Sequence, residues 1–385
     1  MNNTDKTVAE FFAGIGLMRM GLEQAGWEVV WANDIDEDKF NMYRGNYAND
    51  QAHFHLGDVH QIPANKIPTV SLATASFPCN DLSLAGARRG LAGENSSAFW
   101  GFVEAMRGMS KRRPPLVMLE NVPGFLTSHD GADFQDACLA LNDLGYAVDA
   151  FIIDAGFFVP QSRQRLFLIG KREKNFADHV EETPSFYQSQ CRPAALADFI
   201  LMHPDIRWAT RALPTIIKRE TTLADILDDL PAKSPHWWSW QRATYLLGQM
   251  SDKHKAIAEK MIAGKKTTYG TVFRRVRNNR CMAELRTDGT AGCLRTPRGG
   301  SGRQILFAAG NGRFGVRLIT PRECARLMGA DDFKITVPLN QALFGFGDAV
   351  CVPVIRWIAE NYLTPALKEL YAKDDKEQRY IAKAS

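Results

Sequence analysis

Through residue 170 the chain alternates between short apolar runs and stretches with helical spacing, and this limits the fold more than any other feature. Val8–Phe12, Glu28–Ala32, the segment near His53–Leu56, Thr69–Ala75 and Pro114–Leu119 read as strands. Met18–Ala25, Glu37–Asn46, Ser97–Met109 and Asp133–Leu144 read as the helices between them, the first closed by Gly26 and the last by Gly145. Strands at Tyr146–Asp154 and Arg165–Gly170 complete the series. Strands that alternate with helices build a parallel sheet covered on both faces, so the fold class is α/β and doubly wound. Open sheets of this kind take ligands beyond the carboxyl ends of their strands, which makes the residues after each run the candidates for chemistry.

Those residues are not random. Phe12 leads into Ala13-Gly14-Ile15-Gly16, and a strand–glycine turn–helix unit is a cradle in which backbone N–H groups approach a ligand closely. A dinucleotide oxidoreductase needs a further glycine at position 19, where Arg19 stands. The second strand ends at Asn33-Asp34-Ile35-Asp36; either acid can take ribose hydroxyls or cap the helix that starts at Glu37. The third ends at Gly57-Asp58-Val59, with Asp58 suited to an adenine amino group. The fourth delivers Ser76-Phe77-Pro78-Cys79, whose proline stiffens the approach to the sulfur. Asn80–Asn95, with Ser83, Arg88, Arg89 and several glycines, suits a lid that meets phosphates on closing. The fifth strand ends at Glu120-Asn121-Val122, and on an extended chain Gln161, Arg163 and Arg165 share one side.

From about residue 171 the alternation stops, and 171–316 reads as irregular, rich in turns, Trp and Arg. Net charge is only +4, but residues 261–320 hold twelve Lys/Arg against two Asp/Glu, which suggests an anionic partner such as nucleic acid. The Trp cluster at His236–Trp240 is expected mainly as small-domain core, and Thr296–Arg303, with Arg298 and Arg303, as a basic loop. Thr320-Pro321 reads as a helix start and the last long helix should run to about Ala372. Seven cysteines without a CxxC pair argue against a disulfide framework and a structural zinc site; His53, His55 and His60 lack the partners that would complete a metal site. No signal core or membrane span is evident, so a cytoplasmic location, with no membrane and no metal, is expected.

Taken in order, these motifs resemble the DNA (cytosine-5)-methyltransferases. Phe11-Phe12-Ala13-Gly14-Ile15-Gly16 is similar to their cofactor loop, Asn33–Asp36 and Gly57-Asp58-Val59 to the next cofactor contacts, and Phe77-Pro78-Cys79 to the nucleophile motif. Glu120-Asn121-Val122 and Pro160–Arg165 resemble the second and third catalytic motifs, Thr320–Gly329 the helix after the recognition region, and Gly347-Asp348-Ala349-Val350 the closing motif that returns to the cofactor. The resemblance implies a Rossmann-like, S-adenosylmethionine-dependent domain, 1–172 plus 318–385, with a target-recognition domain at 173–317 inserted. It implies Cys79, Glu120, Arg163 and Arg165 as catalytic residues. Phe12, Ala13, Gly14, Ile15, Gly16, Asp34, Ile35, Asp58, Val59, Pro78, Asp348 and Ala349 would hold S-adenosylmethionine. Ser83, Arg88, Arg89, Gln161, Arg298 and Arg303 would meet double-stranded DNA. The family habit adds a possible setting, a cognate restriction or phage-defence protein. Departures are Asn80-Asp81-Leu82-Ser83 for Gln-Pro-Phe-Ser, Ser76 for Gly, Asp348 for Asn, Asp34 for Glu and Glu10 for Asp. Asp81 adds negative charge close in sequence to Cys79, which opposes thiolate formation.

Overall fold

A computed structural model of the protein describes residues 5–47, 52–78, 97–172, 189–277, 280–296 and 302–372. The first unit follows the expected alternation: β1 Thr7–Phe11, α1 Leu17–Gln24, β2 Glu28–Asp34, α2 Glu37–Asn46, β3 Phe54–Leu56, β4 Leu72–Ala75, α3 Ser97–Met109, β5 Leu116–Asn121, α4 Ala132–Asp143, β6 Tyr146–Asp154 and β7 Gln164–Arg172. These strands form one seven-stranded sheet in the order β3-β2-β1-β4-β5-β7-β6. β1 to β5 pair in parallel, while β7 runs antiparallel to both β5 and β6.

The register places the site. Phe11 pairs with Asn33 on one side and Ala75 on the other, and Ala75 pairs with Leu119. The residues that follow, Phe12, Asp34, Ser76 and Glu120, therefore line up along one edge at the carboxyl ends of the strands. The strand order reverses between β1 and β4, and a crevice opens at such a switch point because the connections depart to opposite faces.

Two apolar cores sandwich the sheet. One includes Leu17, Met18 and Leu22 with Val352, Ile355 and Ile358; the other includes Phe99, Phe102 and Met106 with Phe134 and Leu141. The C-terminal elements are α8 Pro321–Leu327, α9 Leu339–Asp348 and α10 Val352–Ile358, introduced here with the helices α5 Ala194–Met202, α6 Trp240–Gly248 and α7 Asp252–Ala263 of the middle region. The end of the chain returns to the first helix: a Cβ on Gly21 would lie 2.7 Å from Ile355 Cβ and 2.8 Å from the Val352 carbonyl oxygen. Leu339–Ala372 is long and apolar enough to cross a bilayer, but it is broken after Asp348, and 67% of its most apolar window is buried in the fold.

The middle region is more regular than its sequence suggests. β8 Thr268–Arg277, β9 Arg280–Arg286, β10 Ile305–Gly310 and β11 Arg313–Leu318 form an antiparallel sheet in the order β11-β10-β8-β9. Ala243, Leu246 and Ala258 of α6 and α7 cover its inner face, with Val272, Phe307 and Val316. Interspersed arginines hide the strand alternation, although Asn311-Gly312, both at positive φ (54° and 73°), is a strong hairpin signal between two apolar strands. Trp237 and Trp238 pack on this unit as expected, but Trp240 is 69% exposed. Residues before this sheet belong elsewhere: Leu196, Phe199 and Trp208 join the core under α3 and α4, and the Ala209 amide donates to the Val148 carbonyl oxygen.

The α1–α10 contact is close enough to test. Gly21→Val should destabilise the protein by about 1–3 kcal/mol through overpacking, read as a lower midpoint in thermal or urea unfolding. An unchanged midpoint would mean that the two helices do not meet there.

Candidate functional site

The glycine loop is shaped by its neighbours rather than by its own sequence. Phe12, Gly14 and Gly16 take φ values of 57°, 57° and 85°. A Cβ on Gly16 would lie 2.5 Å from Tyr47 Cε2, so only glycine fits between the loop and α2. The Gly14 amide donates to Asp34 Oδ2 (2.7 Å), and the Ala13 amide to the Asn33 carbonyl oxygen (2.8 Å). Asp34 Oδ1 accepts from the Asp36 amide (2.9 Å), while Asp36 caps α2 by accepting from the Lys39 amide (3.1 Å). The two acids thus divide the roles that the sequence left open: Asp36 caps and Asp34 faces the loop. Burial pushes the Asp34 carboxyl up, against Lys39 and the two amides.

Further along this edge, Asn33 Nδ2 donates to the carbonyl oxygens of His55 and Gly57 (both 2.8 Å), fixing the turn that presents Asp58. Asp58 Oδ1 accepts from the His60 amide (3.0 Å) and lies 2.9 Å from His60 Nδ1, which lowers its pKa. Ile35, 69% exposed, is an apolar surface beside Asp34. Ile15 and Val59 are buried: Ile15 faces Gly345 and Val59 faces Gly101. Their side chains serve the core, so of these two only the backbone is available to a cofactor. Phe12, Pro78 and Ala349 keep partial or full exposure at the crevice.

Glu10, one residue inside the end of β1, is fully buried, and neither carboxylate oxygen has a hydrogen bond of normal geometry among the described residues. Burial outweighs the pull of the Arg19 cation and amide and raises its pKa to about 8. An acid-lined crevice with an exposed apolar side chain and the Asp34 carboxylate suits a cationic nucleoside cofactor; the Gly14 and Gly16 amides are spent on Asp34 and the Ala13 carbonyl oxygen and shape the loop instead. Asp34 would meet the ribose, Ile35 and Asp58 the base, and the loop at Phe12–Gly16 the remainder.

The neighbouring strands carry the second half of the site. Phe77 packs against Phe99 and Phe125, with ring centroids 5.4 and 5.6 Å away, and its carbonyl oxygen accepts from Asn121 Nδ2 (3.4 Å). Asn121 also accepts from the Val122 amide (2.8 Å), so one side chain joins the end of β5 to the segment after β4. Glu120, buried at the end of β5, pairs with Arg165, Oε1 to Nε 2.9 Å. Cys79, Ser83, Arg88, Arg89 and Arg298, along with Asp81, lie outside the described residues.

Two of the three residues expected on one side of an extended chain behave otherwise. Gln161 is 0% exposed; its Nε2 donates to the Leu327 carbonyl oxygen (2.7 Å) and its Oε1 accepts from the Leu294 amide (3.0 Å). It is a strut and not a DNA contact, because both ends of its amide are consumed by backbone. Arg163, 2% exposed, turns away from Glu120. Its Nη1 donates to the Leu294 carbonyl oxygen (2.9 Å) and the Cys293 sulfur (3.3 Å), and its Nη2 to the carbonyl oxygens of Gly347 (3.1 Å) and Ala349 (2.6 Å). The reason is local: residues 161–163 precede β7 and pair with the inserted region, Ser162 N–H to Ala291 C=O (3.0 Å) and Ala291 N–H to Pro160 C=O (2.7 Å). Arg303 donates to Asn340 Oδ1 (2.5 Å) at the start of α9. Sequence reading missed the segment 291–296 entirely, since nothing in its local pattern signals contacts 130 residues away.

A family model described as C-5 cytosine-specific DNA methylase matches residues 6–364. The chain is 30% identical over 360 residues to the type II methyltransferase M.NlaX of Neisseria lactamica, covering 92% of this chain and 95% of that protein. It is 27% identical over 359 residues to the type II methyltransferase M.Bsp6I of Bacillus sp. (strain RFL6), covering 92% and 97%. Among solved structures, the S. pombe Dnmt2 methyltransferase aligns with a TM-score of 0.61 at 17% identity over 94% of this chain and 98% of that one. The Entamoeba histolytica methyltransferase EhMeth aligns with a TM-score of 0.58 at 17% identity over 96% and 98%. These two likenesses show a shared fold.

Two measurements test this geometry. Gln161→Leu strands the Leu294 amide and the Leu327 carbonyl and should cost about 1–3 kcal/mol of stability, while DNA affinity, measured where both proteins are folded, stays near wild type; a tenfold loss of affinity at unchanged stability would make Gln161 a DNA contact. Glu10 is protonated more readily folded than unfolded, so its contribution to stability is complete below pH 4.5 and is lost as pH rises through about 8. Glu10→Gln should therefore match the wild type in unfolding near pH 4.5 and exceed it at pH 8. Parallel stability curves for the two proteins would contradict the raised pKa.

Proposed function

Because this chain belongs to the C-5 cytosine-specific DNA methylase family, we propose that it methylates C5 of a cytosine, flipped out of duplex DNA, through a covalent adduct between Cys79 and C6. C5 is a poor nucleophile in the aromatic ring. Addition of the Cys79 thiolate to C6 makes C5 enamine-like, and the electron density moved onto N3 is met by a proton from Glu120. Arg165 orients that carboxyl and reaches for O2. S-adenosylmethionine, when bound, supplies the methyl group that C5 attacks. The C5 proton then passes to water, the N3 proton returns to Glu120, and the C6–S bond breaks with its electron pair going to the Cys79 sulfur, which restores the aromatic ring and releases 5-methylcytosine.

The observation that carries this reading is the Glu120–Arg165 pair at the end of β5, tied by Asn121 to the segment that leads to Cys79. A structural ion pair would need neither the switch-point edge nor that tie. Arg163 is reassigned from base contact to the support of the loop at 291–296 and of Gly347–Ala349. Flipping costs a few kcal/mol, and Ser83, Arg88 and Arg89 would offset it by gripping phosphates. Arg298 and the basic residues between 261 and 320 would follow the backbone. The relatives' type II designation suggests a restriction-modification setting for this chain too, with DNA in the cytoplasm as the substrate.

The test is methyl transfer from labelled S-adenosylmethionine to DNA. Cys79→Ala should fall to background, and Glu120→Gln should lose about 10²–10⁴-fold in rate. DNA carrying 5-fluorocytosine at the target should trap wild type covalently, since fluorine cannot leave as a proton does, and should not trap Cys79→Ala. Undiminished transfer by Cys79→Ala would refute the mechanism.

A further inference from the structure

Asp348 ends α9 with its carboxylate shared between two parts of the molecule. Oδ2 pairs with Lys39 Nζ (2.9 Å), and Oδ1 accepts from the Thr296 hydroxyl. Lys39 lies in the first turn of α2, three residues after the acid that caps it and five after Asp34. Its charge acts on Asp34 as well as on Asp348. Lys39 thus has three acids around it, Asp348, Asp34 and the capping Asp36, and one of them is the carboxylate that faces the glycine loop.

The position of Asp348 is held from several directions. Arg163 clamps the carbonyls of Gly347 and Ala349 on either side of it. A Cβ on Gly347 would lie 2.6 Å from the carbonyl carbon of Arg295, so the backbones at 347 and 295–296 touch directly. Thr296 then fixes one oxygen and leaves the other toward Lys39. Desolvation pushes the Asp348 carboxyl up, but the Lys39 charge and the Thr296 hydroxyl outweigh it and keep the carboxyl below the ordinary range.

We propose that Asp348 is a positioning residue for cofactor binding: by holding the Lys39 ammonium, it keeps that cation off Asp34 and leaves the Asp34 carboxylate to the ribose hydroxyls. Without a charge at 348, Lys39 is left to the acids of its own end of the crevice, Asp34 and Asp36, and at Asp34 it competes with the ribose for the same oxygens. An amide at 348 would offer Lys39 a hydrogen-bond acceptor but no counter-charge. This inference rests on the reading that the crevice binds S-adenosylmethionine with Asp34 at the ribose.

Calorimetric titration of the full chain with S-adenosylmethionine and with S-adenosylhomocysteine tests it. The two ligands share the ribose and differ by the sulfonium charge. Asp348→Asn should weaken both by about tenfold or more, the worth of a charge-assisted hydrogen bond, with the cofactor KM raised and kcat at saturation little changed. Asp348→Asn/Lys39→Met should recover binding to within about threefold of wild type, since the competitor is gone. Lys39→Gln alone, available should the Asn variant fold poorly, should leave both affinities near wild type. Weakening confined to the sulfonium ligand would make Asp348 a plain charge in the pocket and overturn the proposal. So would a double variant as weak as Asp348→Asn, an Asn variant that binds normally, or weak binding by Lys39→Gln. If the wild type binds neither ligand, it is the cofactor assignment that fails instead.

Discussion

One buried guanidinium holds the site's parts in register. Arg163 reaches 131 residues forward to Leu294 and 184 and 186 residues forward to Gly347 and Ala349, while its own amide donates to Asp154 Oδ1 at the end of β6 (2.8 Å). A planar cation with fixed donor directions suits this use: it binds several carbonyls at once and, once desolvated, tolerates none of them moving away. Leaving such a charge without its acceptors inside the protein costs several kcal/mol. The crevice wall at 347–349 and the inserted segment at 291–296 therefore form as one unit or not at all.

This shows what local sequence carries and what it does not. The sheet was legible because its apolar runs are separated by stretches with helical spacing; β6 falls on the expected range, and α3 on the expected Ser97–Met109. The division of labour between Asp34 and Asp36 was legible only as a choice, because capping and ligand binding ask for the same carboxylate at nearly the same place. The direction of Arg163 was not legible. A period of two holds for a strand, and residues 161–163 are not in one; they pair with Ala291 in a different part of the chain. The four-stranded sheet at 268–318 was obscured for another reason, since alternation is a contrast between apolar and polar faces and arginine-rich strands blur it.

The electrostatics of the crevice turn on how burial and pairing are balanced at each acid. Glu10, Asp34 and Asp348 all sit in or under one edge of the sheet, and burial works against ionisation at each. At Glu10 nothing overcomes it and the carboxyl favours its proton. Asp34 has two amides on its oxygens, yet its pKa is still raised. At Asp348 a lysine and a hydroxyl reverse the sign. Three acids of similar chemistry are thus kept in three different states by their neighbours, which is how a single edge can offer a neutral acid, a shared acceptor and a fixed charge.

The same balance explains why a cation belongs near this edge at all. Without Lys39, Asp348 would keep the Thr296 hydroxyl and solvent but lose its cation. With Lys39 present and Asp348 absent, the ammonium would have Asp34 and Asp36 as its remaining acids. Only the pair satisfies both, and it does so across α2, α9 and the inserted segment. The carboxylate at 348 is therefore tied to the lysine at 39: each is costly alone, and together they leave Asp34 to its ligand.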